Sequence, residues 1–312
     1  MRPPTLIVFV LSLVMRLPCA VAQVPLPEDF RLPDAVSGTA SRVIPSSVEE
    51  VGDQIFEIKF ESGPDWSRFE LWMDKGGFGP GLVQFAIERD DESLNYVDMA
   101  RQASVTDAFR RLGWGAGEVE TSPIAALRGL RYAHESGLQI TTESLANGRE
   151  RFSWVNEDVK QTYSVEVDRE RDEVVSLEMG TVGVHGKVVY TYTDWAPLGA
   201  GLHYPRRVAF DTVDYDGPPL VGRISIDEVR ALGAGAKPSP YTLPEDVVIR
   251  NELTGQITNA AGESIRASGD AGTGTPPVGG SVFTVRNTLI AIAAIAVAIA
   301  GLVVALRRKG VM

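Results

Sequence analysis

"QTYSVEVDRERDEVVSLEMGTVGVHGKVVYTYTDW", residues 161 to 195, decides the fold class. Apolar side chains recur at alternate positions: Tyr163, Val165 and Val167, then Val175, Leu177 and Met179, then Val188, Tyr190 and Tyr192. A period of two with polar residues between is the pattern of a strand with one buried face and one wet face. "DRERDE" (Asp168 to Glu173) and "GVHG" (Gly183 to Gly186) join the three runs by short polar or glycine turns, so sequential strands pair as antiparallel neighbours. A parallel arrangement needs a crossover of a dozen or more residues, and these turns leave no room for one.

The same alternation extends outward. It takes in Phe56, Ile58 and Phe60; Phe69, Leu71 and Met73; and Val83, Phe85 and Ile87 on one side. On the other are Tyr204, Val208 and Phe210, with Ile224 and Ile226 beyond them. Leu138, Ile140 and Thr142 precede Phe152 and Trp154, and Asn147-Gly148 between them marks a tight hairpin. The reading is about ten strands in a meander, an α+β chain that is mostly antiparallel β.

Helix is expected in one central region. "ESLNYVDMARQASVTDAFRRLGWG" (Glu92 to Gly115) places Leu94, Val97, Ala100, Val105, Ala108, Phe109 and Leu112 mostly three and four residues apart, with Gly113 as a stop. A second helix opens at Ser122-Pro123, Ser as cap and Pro at the first helical position, and runs through "IAALRGLRYAHE". Gly129 weakens that segment, and a strand is the competing reading there.

Both ends of the chain read as membrane signals. Arg2, the apolar stretch Leu6 to Met15 and Ala20-Val21-Ala22 before Gln23 make residues 1–22 a secretory signal peptide. Leu17 and Pro18 stand before Cys19 where a lipoprotein signal needs small residues, which argues against lipidation. Near the other end, Thr288 to Leu306 is an uncharged run of nineteen residues, long enough as a helix to cross a hydrocarbon core of about 30 Å. Arg307, Arg308 and Lys309 follow it, and the positive-inside bias keeps them cytoplasmic.

The expected organisation is therefore a signal peptide (1–22), an extended lead-in (23–44) and an extracytoplasmic β-rich domain (45–255). A flexible linker (256–287), a transmembrane helix (288–306) and a cytoplasmic tail (307–312) complete it. This places the protein in the cell membrane as a single-pass protein with its bulk periplasmic. A rival reading makes the apolar span and basic tail a sorting tag that is removed, although "TPPVGGSVF" contains no recognisable sorting motif.

Charge and chemistry narrow the function classes. Across residues 23–285, 24 basic residues face 41 acidic ones, leaving this exported part at −17. Such a charge repels nucleic acid and anionic lipid surfaces. Cys19 is the sole cysteine and lies inside the signal, so neither a disulfide nor a thiolate site is expected in the mature chain. His134, His185 and His203 lack metal-ligand spacing. "GGFGPG" (Gly76 to Gly81) and "GAGAKPS" (Gly233 to Ser239) read as turns, since neither leads from a strand into a helix and Pro238 follows Lys237 where a phosphate loop has Ser or Thr. Asp194 reads as a strand end, with a buried functional acid as the alternative. No nucleophile elbow is present, and the chain is expected to be neither an enzyme nor a cofactor protein.

Tyr190, Tyr192, Asp194 and Trp195 in "YxYxDW", then Gly201, Tyr204 and Pro205, then "YTLPEDVVI" (Tyr241 to Ile249), resemble the repeating middle and closing segment of the LolA and LolB lipoprotein-carrier superfamily. The resemblance covers roughly residues 138–250. It implies a curved sheet or incomplete β-barrel wrapped around one or two helices, with an apolar cavity for acyl chains. A carboxy-terminal helix anchor departs from that family and argues against shuttling.

The leading expectation is a membrane-anchored, non-catalytic domain binding a lipid, lipoprotein or other apolar ligand through Phe152, Trp154, Tyr163, Tyr190 and Tyr192. The alternative is a structural or sensing ectodomain that meets another envelope protein, with those rings serving only as core.

Overall fold

The alternating runs form strands, and they form one sheet. The computed structural model describes residues 30–44, 53–74, 80–89, 92–107, 117–214 and 221–264. The expected signal peptide, transmembrane run and tail lie outside the described residues, as does most of the linker. Among the described residues, no helix is long and apolar enough to cross a membrane.

The first half of the sheet comprises β1 (Val36–Ile44), β2 (Gln54–Ser62), β3 (Trp66–Asp74), β4 (Pro80–Arg89), β5 (Ser93–Val97) and β6 (Gln102–Thr106), each antiparallel to the next. A single-turn 3-10 helix (Glu118–Glu120) and α1 (Pro123–Glu135) intervene. A second meander follows: β7 (Thr141–Ser144), β8 (Arg149–Asn156), β9 (Gln161–Asp168), β10 (Glu173–Thr181), β11 (Lys187–Gly199), β12 (Leu202–Val213) and β13 (Val221–Ala231). β13 returns to pair with β1, which fuses the two meanders. β14 (Val248–Asn251) then joins β6 in parallel and β15 (Ile257–Asn259) closes that side, so the spatial order runs from β15 to β7 through fifteen strands. A twisted sheet this wide must curl. It stays open, because β15 and β7 lie at its two edges.

Turn chemistry fixes the hairpins. Asn147 and Gly148 both have positive φ, 62° and 70°, within the turn that the Leu145 amide closes on the Arg149 carbonyl between β7 and β8. In "DRERDE" the Asp168 carboxylate accepts hydrogen bonds from the Glu170 and Arg171 amides, which replaces backbone pairing at the β9–β10 corner. A bulge between Val174 and Ser176 shifts the inward face of β10, so Val174, not Val175, is fully buried there.

Three expectations are corrected. The region from Glu92 onward is not a helix: β5, a single 3-10 turn (Asp98–Ala100) and β6 occupy it. Tyr96, Ala103 and Val105 are buried on a period-two pattern, and β-branched Val97, Val105 and Thr106 favour extended backbone. Arg101, at φ 48°, turns the chain between the strands. Ala108, Phe109 and Leu112 lie outside the described residues.

The lead-in is also shorter than expected, since residues 36–44 form β1 in the middle of the sheet. Ser37, Gly38, Thr39 and Ala40 dilute its apolar signal, yet Gly38 is demanded by packing: a Cβ there would strike the Phe60 ring and the carbonyl of Glu228 on β13. At the far end the folded part passes residue 255 into β15. Residues 241–249 cross the outer face of the sheet, where Tyr241 stacks on Phe85 with centroids 3.8 Å apart and Val247 joins a small second core with Tyr96 and Ala103.

The segment after Ser122 is the expected helix, and the strand reading fails there. Pro123 sits at its first turn, but Ser122 gives no side-chain cap; its hydroxyl donates to Ser62 Oγ instead. Gly129 is tolerated because the helix from Pro123 to Leu130 is buried throughout, and packing outweighs its roughly 1 kcal/mol helix penalty.

Candidate functional site

The inner face of the sheet carries the aromatic set singled out by sequence. Phe152 and Trp154 on β8, Tyr163 on β9, and Tyr190 and Tyr192 on β11 are all brought to it. They are not left open. Each is at most 8 % exposed, within one continuous apolar core that includes Ile124, Leu127 and Leu130 of α1. They share that core with α1, and Tyr192 reaches the 3-10 turn as well.

The cover is thin. Ala125, Ala126, Gly129 and Ala133 let α1 approach the sheet closely, and the bulk of the core comes from sheet side chains. Polar bonds pin the cover at its beginning. Tyr192 Oη donates to the Val119 carbonyl and Tyr204 Oη to the Thr121 carbonyl, both at 2.8 Å. Gly117 begins the 3-10 turn at φ 74°, and a Cβ there would lie 2.6 Å from the Phe69 ring. Gly117→Ala should therefore lower stability by about 1–3 kcal/mol through strain and overpacking, measured as a urea midpoint.

Two buried ion pairs complete the attachment. Arg128 Nη1 and Nη2 meet the two carboxylate oxygens of Glu118 at 2.8 and 2.9 Å, while Nη2 also donates to the Gly63 carbonyl and Ser62 Oγ donates to Glu118. Arg42 on β1 donates to Glu120 at 2.7 Å and lies 4.8 Å over the Phe210 ring. Sequence reasoning missed all four charged residues. Glu118 and Glu120 flank Val119 in what reads as a polar loop, and only their partners on distant elements reveal the burial.

Burial pushes the Glu120 carboxyl up, more than Arg42 pulls it down. A carboxyl whose folded pKa is raised contributes most below its unfolded value of about 4.3, and that contribution is lost as pH rises through the folded value. The stability of Glu120→Gln relative to the unaltered chain should therefore improve as pH is raised from about 4 in urea titrations, and a constant difference would contradict the assignment. Burial likewise raises the Tyr190, Tyr192 and Tyr204 phenols, so all three stay neutral donors or ring fillers near neutrality.

Two cavities accompany this core. One, of about 940 Å³, opens beside α1 where Ile124, Arg128 and Arg131 face Trp66, Arg89 and the Gly233 to Pro238 turn. The other, of about 800 Å³, is a trough across β7 to β11. Ser153, Thr162, Ser164, Glu178 and Lys187 line it, and Lys187 Nζ donates to Glu178 at 2.7 Å. Trp154 and Tyr163 also border it, although their neighbours along the strands point to the opposite face.

The remaining candidates stay apart. His134 lies on α1, His185 in the β10–β11 turn and His203 on β12. Among the described residues no three His, Cys, Asp or Glu side chains gather as a metal site. Asp194 lies within β11, not at its end, at φ 58°; it is exposed and 3.4 Å from Arg207, so it is no buried acid.

No protein-family model matches the chain, and no curated protein matches its sequence. Among solved structures it is similar to a LolA superfamily protein from Nitrosomonas europaea, at 11 % identity and TM-score 0.43 over 67 % of this chain and 89 % of that one. It is also similar to a putative outer membrane lipoprotein-sorting protein domain from Vibrio parahaemolyticus, at 8 % identity and TM-score 0.42 over 65 % and 87 % of the two chains.

Proposed function

We propose that this protein is a non-catalytic, membrane-tethered periplasmic domain that takes the acyl chains of a lipid or lipoprotein between its curved sheet and α1. The observation that carries this reading is the construction of the inner face: large rings from the sheet closed by one thin helix, with a cavity of about 940 Å³ at the edge of that helix. That volume lies in the range of small-ligand sites, about 300–1,000 Å³. The tether is residues 288–306, retained in the membrane with 307–312 in the cytoplasm.

Brominated acyl chains quench tryptophan on contact, and they supply the test. The chain, embedded in a bilayer nanodisc containing brominated phospholipid, should lose emission that Trp154→Phe removes from the signal. Equal quenching in the two proteins would reject an acyl chain under the sheet. A second reading, contact with an envelope protein, is favoured by Val155, Val182 and Val184, which are exposed at one end of the β8 to β11 hairpins. A stoichiometric partner that lost its grip on Val182→Asp would favour it.

A further inference from the structure

We propose that the cavity beside α1 is an anion site that holds the phosphate of an acidic amphiphile; this extends the acyl-chain reading and rests on it for the amphiphile's apolar part. Arg89 at the end of β4, Arg131 on the third turn of α1 and Lys237 in the turn after β13 come from three distant stretches of chain to line one cavity. Buried Arg128 adds a fourth cation to the wall, neutralised by Glu118. Among the described residues Arg89 and Lys237 take part in no ion pair, and Arg131 has only Glu135 at 3.9 Å. Asp34 and Asp65 also line the cavity, so Arg89, Arg131 and Lys237 meet two acids there.

That local excess stands out in a chain of formal charge −11. The overall charge repels an extended anionic surface at long range, whereas a single phosphate inside the cavity responds to the nearest cations. A second, independent feature points to a bound oxyanion. Trp66, 4 % exposed, lines the same cavity, and its indole N–H has no acceptor among the described residues. A buried donor left unpaired is costly, and a phosphate oxygen would pair it. Ile124, also on the wall, leads from the cations toward the core beneath α1, which places the polar head at the mouth and the chains inward.

The test uses the full chain in phosphatidylcholine nanodiscs and three probes by calorimetry: short-chain phosphatidic acid, the diacylglycerol of the same chain length, and inorganic phosphate. Phosphatidic acid is expected to bind at least about tenfold more tightly than diacylglycerol, the effect of one charge-assisted contact. In the Arg89→Gln, Arg131→Gln, Lys237→Gln protein the preference should fall to about twofold or less. These side chains are exposed or half-buried, so the fold is preserved. Equal binding of the two lipids, or a preference that survives the substitutions, overturns the anion site while leaving the acyl-chain reading intact. Phosphate binding that the substitutions abolish, without uptake of either lipid, keeps the anion site and removes the acyl-chain reading. No binding of phosphatidic acid or phosphate overturns the proposal.

Discussion

Arg128→Met should destabilise the folded chain by about 3–5 kcal/mol, because it strands the Glu118 carboxylate where water cannot reach it. Both partners are almost fully buried, and the guanidinium grips both carboxylate oxygens in the fork geometry that only arginine offers. Arg128→Lys should therefore fail to rescue, since one ammonium cannot span both oxygens and the Gly63 carbonyl together. The companion change Glu118→Gln in the Arg128→Met background should recover a large part of the loss by removing the stranded charge. Urea unfolding of the three proteins reads this out. A loss below about 1 kcal/mol for Arg128→Met would mean that the pair is solvated and that the 3-10 turn is held by its tyrosine bonds and the Arg42–Glu120 pair.

The strand-rich class, the meander and most of the sheet were legible because each depends on a local pattern. Alternation at Tyr163, Val165 and Val167 or at Phe56, Ile58 and Phe60 is visible one residue at a time, and it survives because one face of each strand is buried. β1 was hidden because its small residues are chosen by contact with Phe60 and β13, partners that sequence does not place beside it. β5 reads as helix because Leu94 and Val97, on opposite faces of one strand, and Ala100 in the 3-10 turn fall three residues apart.

The candidate site divides in the same way. The place of the five rings on the inner face was legible, since rings on alternating positions announce a buried face. What covers them was not, because the closeness of α1 rests on Ala125, Ala126 and Gly129, whose contribution is the absence of bulk. The cationic lining of the larger cavity was beyond reach for another reason. Arg89, Arg131 and Lys237 are isolated charges in sequence, and only the return of the chain from β13 across the sheet end brings them to one cavity. The turn containing Lys237 was read correctly as a turn, but its neighbours could not be.

Phe152→Ala should cost about 3–5 kcal/mol, and where that cost appears separates a core ring from a ligand contact. Phe152 is fully buried on β8 opposite Val165, within the cluster that also holds the apolar residues of α1. Truncation removes the ring from packed neighbours, and the rigid hairpins on either side limit how far the sheet can collapse into the space. The loss must then be present in delipidated protein, as a lower urea midpoint with an unchanged slope. A ring whose partner was chiefly a bound acyl chain would behave differently: delipidated stability would move by less than about 0.5 kcal/mol, and lipid uptake would fall. The first outcome assigns Phe152 to the wall that an entering chain must displace α1 to reach. On that outcome a ligand gains access only as the helix moves aside, and the bonds of Glu118, Glu120, Tyr192 and Tyr204 to their partners set how hard that is.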